Sequence, residues 1–146
     1  MIGLIQRVST ASVTVDNQLV GQINQGLLVL VGVCKNDMDR PEVVDKLAHK
    51  LLNYRVFTDE DSKMNLSALD TQAKLLLVSQ FTLCANCRKG LRPSFEAAAP
   101  PDIARRYFDQ LVAKVSGQAD VETGIFGADM QVSLVNDGPV TFWLEV

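Results

Sequence analysis

The chain has 146 residues, 47% of them hydrophobic and 21% charged, with a formal net charge of −3. That balance suits one globular domain over residues 1–146 with a sizeable core. It excludes broad, non-specific binding to phosphate backbones, so any nucleic-acid contact has to come from a local basic patch. Three cysteines, Cys34, Cys84 and Cys87, are an odd number in too long a chain for a secreted disulfide framework. The opening MIGLIQRVSTASVTV has a short apolar run interrupted by Arg7 and then a strand-like alternation, unlike a signal peptide. No run approaches the roughly 18 apolar residues of a membrane helix. A cytoplasmic protein with no membrane partner is expected.

In chain order, residues 2–8, 12–15 and 18–23 read as short strands, with Asp16-Asn17 as a turn between the last two. Residues 27–33 are apolar throughout and read as a strand buried on both faces. A helix follows, with Asp39 as expected N-cap, Pro41 in its first turn, and Val43, Leu47 and Leu51 on an apolar stripe. Residues 54–58 could form a short strand, and 59–62 a solvated loop. Residues 74–79 form another apolar strand, and 84–100 are irregular, broken by Gly90, Pro93, Pro100 and Pro101. A second helix spans 101–116, with Ala104, Tyr107, Phe108, Leu111, Val112 and Val115 facing the core. Strands return at 130–135 and 140–146, hinged at Asn136-Asp137-Gly138-Pro139. The expected fold is α+β: a mostly antiparallel, partly barrel-like sheet with two main helices packed on it.

The general catalytic patterns fail. The only histidine, His49, falls on the polar face of the first helix, which removes any triad that needs a positioned imidazole. Cys84-Ala-Asn-Cys87 has C-x-x-C spacing but lacks a second ligand pair for zinc and does not open a helix as a redox pair should, so both read as ordinary loop cysteines. No metal ligand set, phosphate-binding loop or dinucleotide fingerprint is present, and no cofactor is expected. Two segments remain. Ser79-Gln80-Phe81-Thr82-Leu83 ends a buried strand in polar groups, and Arg88-Lys89-Gly90-Leu91-Arg92 packs three cations into five residues soon after. Asn136-Asp137-Gly138-Pro139-Val140-Thr141 lies between two apolar strands, where a proline cannot donate to a ladder. Its Gly-Pro bond is a candidate for the cis form.

Together these segments closely resemble the D-aminoacyl-tRNA deacylase family from one end of the chain to the other. Gln6-Arg7-Val8 with Ala11-Ser12-Val13, SQFTL at 79–83, Arg92-Pro93-Ser94-Phe95, N-x-G-P-V-T at 136–141 and Val140-Thr-Phe-Trp143 occur in the family's order. The resemblance implies a hydrolase that cuts the ester bond of a tRNA carrying a D-amino acid, working as a homodimer with its sites at the subunit interface. Each site would join the SQFTL segment of one subunit to a Gly138-cisPro139 turn from the other. The turn's carbonyls would receive the substrate's α-ammonium group and exclude an L side chain. Arg7 would brace the glycine carbonyl. Phe81 and Gln80, beside Ser79, would contact the terminal adenosine by stacking and hydrogen bonding. Thr82 would either attack or orient, and without a histidine to activate it orientation is favoured. From the residues alone, Arg88, Lys89 and Arg92 are expected to meet acceptor-stem phosphates. Two rivals share parts of this pattern: an editing deacylase for a mischarged L-amino acid or glycine, and a non-catalytic RNA-binding module.

Overall fold

The computed structural model describes residues 1–88 and 90–146; Lys89, one of the expected phosphate contacts, lies outside the described residues. Its axis is β1 (Ile2–Val15), a 14-residue strand. One edge of β1 pairs antiparallel with β3 (Gly26–Gly32) from Ile2↔Gly32 to Val8↔Gly26, then with β2 (Gln18–Ile23) from Ala11↔Ile23 to Val15↔Gln18. The two runs at 2–8 and 12–15 are therefore one strand, and the polar Ser9-Thr10 between them marks where β1 changes partner. β6 (Lys74–Ser79) continues the sheet parallel to β3, and β7 (Val121–Thr123) lies parallel to β6. Along the other edge of β1 runs β8 (Gln131–Glu145), antiparallel. The sheet curls almost closed: a Cβ on Gly21 of β2 would fall 2.7 Å from the Thr123 carbonyl of β7.

Both faces of β3 and β6 are buried, which is why these two strands carry no polar alternation. Leu28, Leu76 and Val78 point into the curl with Val8, Val13 and Ile23. Leu27, Val29, Leu75 and Leu77 point outward beneath α1 (Glu42–Asn53) and α3 (Pro101–Ser116). Val43, Leu47 and Leu51 of α1 and Tyr107, Phe108, Leu111 and Val115 of α3 meet them, as the stripes require; Val112 is only half-buried.

Several local expectations change. Asp39 does not cap α1: it takes a left-handed φ of 64°, and Pro41 occupies the cap position without a side-chain bond. A third, short helix α2 (Ala68–Thr71) and the small β4–β5 sheet (Phe57–Thr58 with Met64–Leu66) fill the stretch between α1 and β6. Ser67 and Asp70 cap α2 reciprocally, through Asp70 Oδ2 to the Ser67 N–H and hydroxyl at 2.8 and 2.6 Å, and the Asp70 N–H to Ser67 Oγ at 3.2 Å. Cys84 is not an ordinary loop cysteine: it is buried and disulfide-bonded to Cys34, with Cα atoms 5.6 Å apart, leaving Cys87 free and exposed. Sequence spacing gave no sign of a pair 50 residues apart, because only the β3–β6 register brings their strands side by side. His49 is exposed. Among the described residues no helix is long and apolar enough to cross a membrane.

Candidate active site

The Gly-Pro turn is a bulge in β8 rather than a hinge between two strands. Val8 pairs with Asn136 and Gln6 with Thr141, so residues 137–140 stand opposite Arg7 alone. The surplus residues must leave the ladder. Gly138 takes φ 147°, which an L side chain rarely adopts, and the Gly138–Pro139 bond is cis. Asn136 clamps the base of the loop. Its Oδ1 accepts the Val140 N–H at 2.7 Å, and its Nδ2 donates to Thr141 Oγ1 at 3.0 Å.

Arg7 holds the turn from the sheet side. Its guanidinium donates from Nε to the Asp137 carbonyl at 3.0 Å and from Nη1 to the Val56 carbonyl at 2.8 Å. The Asp137 carboxylate lies 3.4 Å from Nε, and the Arg7 side chain is only 12% exposed. The brace thus reaches the carbonyl one residue before the glycine, with Val56 as its second anchor. A planar fork suits two acceptors at a fixed angle, which a lysine could not match. The anchor comes from the segment just before β4, a contribution without any sequence signal. Asp137, Gly138 and Pro139 themselves are exposed.

The second segment follows the end of β6. Ser79 pairs with Val31, and Gln80 donates its N–H to the Val31 carbonyl at 2.7 Å, leaving the strand at φ −144°, ψ 83°. Phe81–Cys84 then form a 3-10 turn that projects Phe81 and Thr82 outward. Glycine at 32 permits its close seat on β3: a Cβ there would lie 3.0 Å from Leu83 Cβ. Gln80 Nε2 donates to Thr82 Oγ1 at 2.6 Å. One lone pair of the hydroxyl is thereby occupied and its proton is left to donate outward. An amide is no base for that proton.

Phe81 is exposed and meets Phe95 edge-to-face at 5.1 Å. Ser79, Gln80 and Phe81 form the mouth of a cleft of about 500 Å³, walled mostly by Val78, Ala99, Phe108, Phe126 and Met130. That volume and apolar lining are those of a small-molecule site. Phe126 to Asp129 belong to no element expected from the sequence, and Met130 was read only as the start of a strand, so their part in the cleft was not foreseen. Arg88 and Arg92 lie exposed on the neighbouring loop, whose base is closed by paired Asn86 and Ser94 backbone bonds.

The two segments do not meet within one chain. The turn sits level with Arg7, hence with Leu27 of β3 and Leu75 of β6, three strands away from β6. Gln80 lies beyond the opposite end of β6. At about 4.8 Å per strand and 3.3 Å per residue, some 14 Å across and 16 Å along the sheet separate them. Arg7 and Asp137 instead border a smaller groove with Thr58, Thr71 and Gln72.

The chain matches the family model described as D-Tyr-tRNA(Tyr) deacylase over residues 4–145. It is 57% identical over 146 residues to a D-aminoacyl-tRNA deacylase of Haemophilus influenzae (strain PittEE), covering 100% of both chains. It is 60% identical over 147 residues to that of Pseudomonas putida (strain W619), again covering 100% of both. A solved structure titled c-Myc DNA Unwinding Element Binding Protein superposes with a TM-score of 0.93 at 37% identity, covering 100% of this chain and 99% of the other. A probable eukaryotic D-amino acid tRNA deacylase superposes with a TM-score of 0.83 over 99% of this chain and 98% of the other, a likeness of fold alone at 18% identity. With the family model spanning nearly every residue and such relatives matched end to end, the chain belongs to the D-aminoacyl-tRNA deacylase family and is a hydrolase.

Proposed function

We propose that the protein hydrolyses the ester of D-aminoacyl-tRNA, releasing the D-amino acid and the tRNA, at two sites that form only when two copies pair. The separation of the Gly138-Pro139 turn from the Gln80–Thr82 pair within one chain carries this reading, since each exposed segment lacks the other half of a site. β8 supports it as a long edge strand with exposed Leu134, Val135 and Trp143 beside the turn, the kind of edge that a second chain covers.

In the paired form the cleft behind Phe81 takes the terminal adenosine, its base against apolar walls and its polar edge toward Gln80 and Ser79. The turn of the partner copy faces the amino acid, and its carbonyls accept from the α-ammonium group. A D side chain then points away, while an L side chain runs into backbone that Arg7 and Asn136 keep from moving. Selection by exclusion needs such stiffness. The ester is already activated relative to an amide, so positioning and donation to the developing oxyanion suffice. Thr82, its oxygen held by Gln80, supplies a donor while water attacks. Arg88, Lys89 and Arg92 meet the acceptor-stem phosphates. The cytoplasm, where tRNA is charged, is the setting this activity requires.

A subunit-mixing experiment tests both halves together. Thr82→Val and Gly138→Ala homodimers should each be nearly inactive on D-tyrosyl-tRNA. Equal mixing with exchange puts both defects in one site of each heterodimer and leaves the other intact, restoring about a quarter of wild-type sites. No recovery despite proven exchange would refute the shared site, and equal wild-type hydrolysis of D- and L-tyrosyl-tRNA would refute the chiral selection.

A further inference from the structure

The cysteines take no part in the site described above, yet they adjoin it. Cys84 ends the 3-10 turn that presents Phe81 and Thr82, and its bond to Cys34 ties that turn to the exit of β3. Cys34 is itself firmly fixed. Its N–H donates to Asp37 Oδ2 at 2.7 Å, it bridges to Ala98, and the neighbouring Lys35 N–H reaches the Ala97 carbonyl at 2.8 Å. Ala98 and Ala99 line the cleft whose mouth Phe81 guards. One covalent link therefore joins the Thr82 turn to Cys34, which is bridged to Ala98 in the lining of the same cleft. Three residues beyond Cys84, past the pinned Asn86, the free Cys87 is exposed.

We propose that Cys34, Cys84 and Cys87 form a thiol–disulfide exchange site, acted on by low-molecular-weight or protein thiols, that sets the rate of the deacylase through the position of the Thr82 turn. The consequence for rate rests on the functional reading above. Cys84 is buried, so an external thiol reaches the bond poorly. Cys87 is the internal nucleophile: its thiolate attacks Cys84 Sγ, the Cys84–Cys87 bond forms, and Cys34 leaves as a thiolate that takes up a proton. This step is redox-neutral. An external thiolate then attacks Cys87 Sγ in the exposed loop and expels Cys84 as a thiolate. A second external thiol resolves the mixed disulfide on Cys87, so that two thiols give one external disulfide and three protein thiols. Without the link the turn keeps only its backbone bonds, the Gln80–Thr82 bond and the Phe81–Phe95 contact, and Thr82 and Phe81 lose their fixed relation to the cleft.

The test uses full-length protein equilibrated with oxidised glutathione or with dithiothreitol. Alkylation with mass spectrometry should find Cys34 joined to Cys84 in the first state, with Cys87 alone alkylated or carrying glutathione, and three reactive thiols in the second. Hydrogen exchange over residues 80–85 should quicken at least ~10-fold on reduction, as local opening would require. Hydrolysis of D-tyrosyl-tRNA should slow by more than ~5-fold, up to the roughly 100-fold that a 1 Å displacement of a catalytic group causes. Cys87→Ser should keep the oxidised rate and be reduced by glutathione at least ~10-fold more slowly than wild type. Failure of oxidised glutathione to join Cys34 to Cys84, unchanged exchange and rate on reduction, or wild-type reduction kinetics in Cys87→Ser would each overturn the proposal. An oxidised protein inactive on D-tyrosyl-tRNA would sink the functional reading instead, and alkylation and hydrogen exchange would still decide the thiol chemistry.

Discussion

Gly138→Ala places one methyl group where the turn has no room for it. The new Cβ would lie 2.5 Å from Val140 Cγ2 and 2.9 Å from the Val140 backbone nitrogen, on a backbone with φ 147°. Such a φ is worth about 1–3 kcal/mol of strain in an L residue. Val140 cannot recede freely, because it is buried and its N–H is bound to Asn136 Oδ1; losing that bond adds about 1 kcal/mol. The sum, roughly 2–4 kcal/mol, leaves a domain of ordinary stability folded at 25 °C. Spread over 146 residues it lowers Tm by roughly 6–13 °C. Relief comes more readily by shifting the exposed turn than by moving the core. A shift approaching 1 Å lowers kcat/KM for D-tyrosyl-tRNA by about 100-fold and narrows the D-over-L ratio. Deacylation kinetics with both enantiomers, run beside thermal melting, decide the matter. A variant with the lowered Tm but with wild-type rate and chirality would show that the turn is structural only.

Arg7→Lys keeps the charge but cannot serve the Asp137 and Val56 carbonyls at once; one charge-assisted bond lost, about 1.5–3 kcal/mol, should lower kcat/KM about 10–100-fold, and an unchanged rate would remove the brace from the mechanism. Thr82→Ser should retain most activity and Thr82→Val lose it, with no acyl-enzyme trapped from either the wild type or Thr82→Ser; an acyl group on Thr82 would establish attack in place of orientation. Asp70 has its pKa lowered, first by the Ser67 hydroxyl and then by the Ser67 backbone N–H. Its contribution to stability is therefore present above the unfolded-state value and is lost as pH falls through the lower folded one. Asp70→Asn should reduce Tm at neutral pH and make no difference near pH 2, and a Tm gap independent of pH would contradict the capping role.

What was legible in the sequence follows from how locally each feature is encoded. The stripe through Val43, Leu47 and Leu51 and the run at 74–79 announce burial on one helical face or on two sheet faces, and both appear where expected. The short α2 was invisible because four residues show no period, only a Ser67–Asp70 cap that also occurs in loops. β7 was missed likewise, for three residues gain strand form only by lying beside β6. The bulge at 137–140 read as a hinge because Gly-Pro forbids regular pairing; that β1 stays paired on both sides of it is a property of the partner strand.

The site divides along the same line. Gln80, Phe81 and Thr82 stood out as polar and aromatic groups at the end of an apolar strand, and the structure keeps them together in one turn. Arg7, by contrast, sits amid strand residues with nothing local to distinguish it from a solvated cation. Its use depends on the Arg7↔Leu27 register, which places β1 between β3 and the β8 bulge, and on the chance that residue 56 turns a carbonyl toward it. The same holds for Cys34, whose partner follows the neighbouring strand β6, 50 residues further on. Groups that act by contact with a ligand tend to be chemically conspicuous. Groups that fix them in place need only ordinary chemistry at the right distance, and that distance is set by sheet register, which no single stretch of the chain contains.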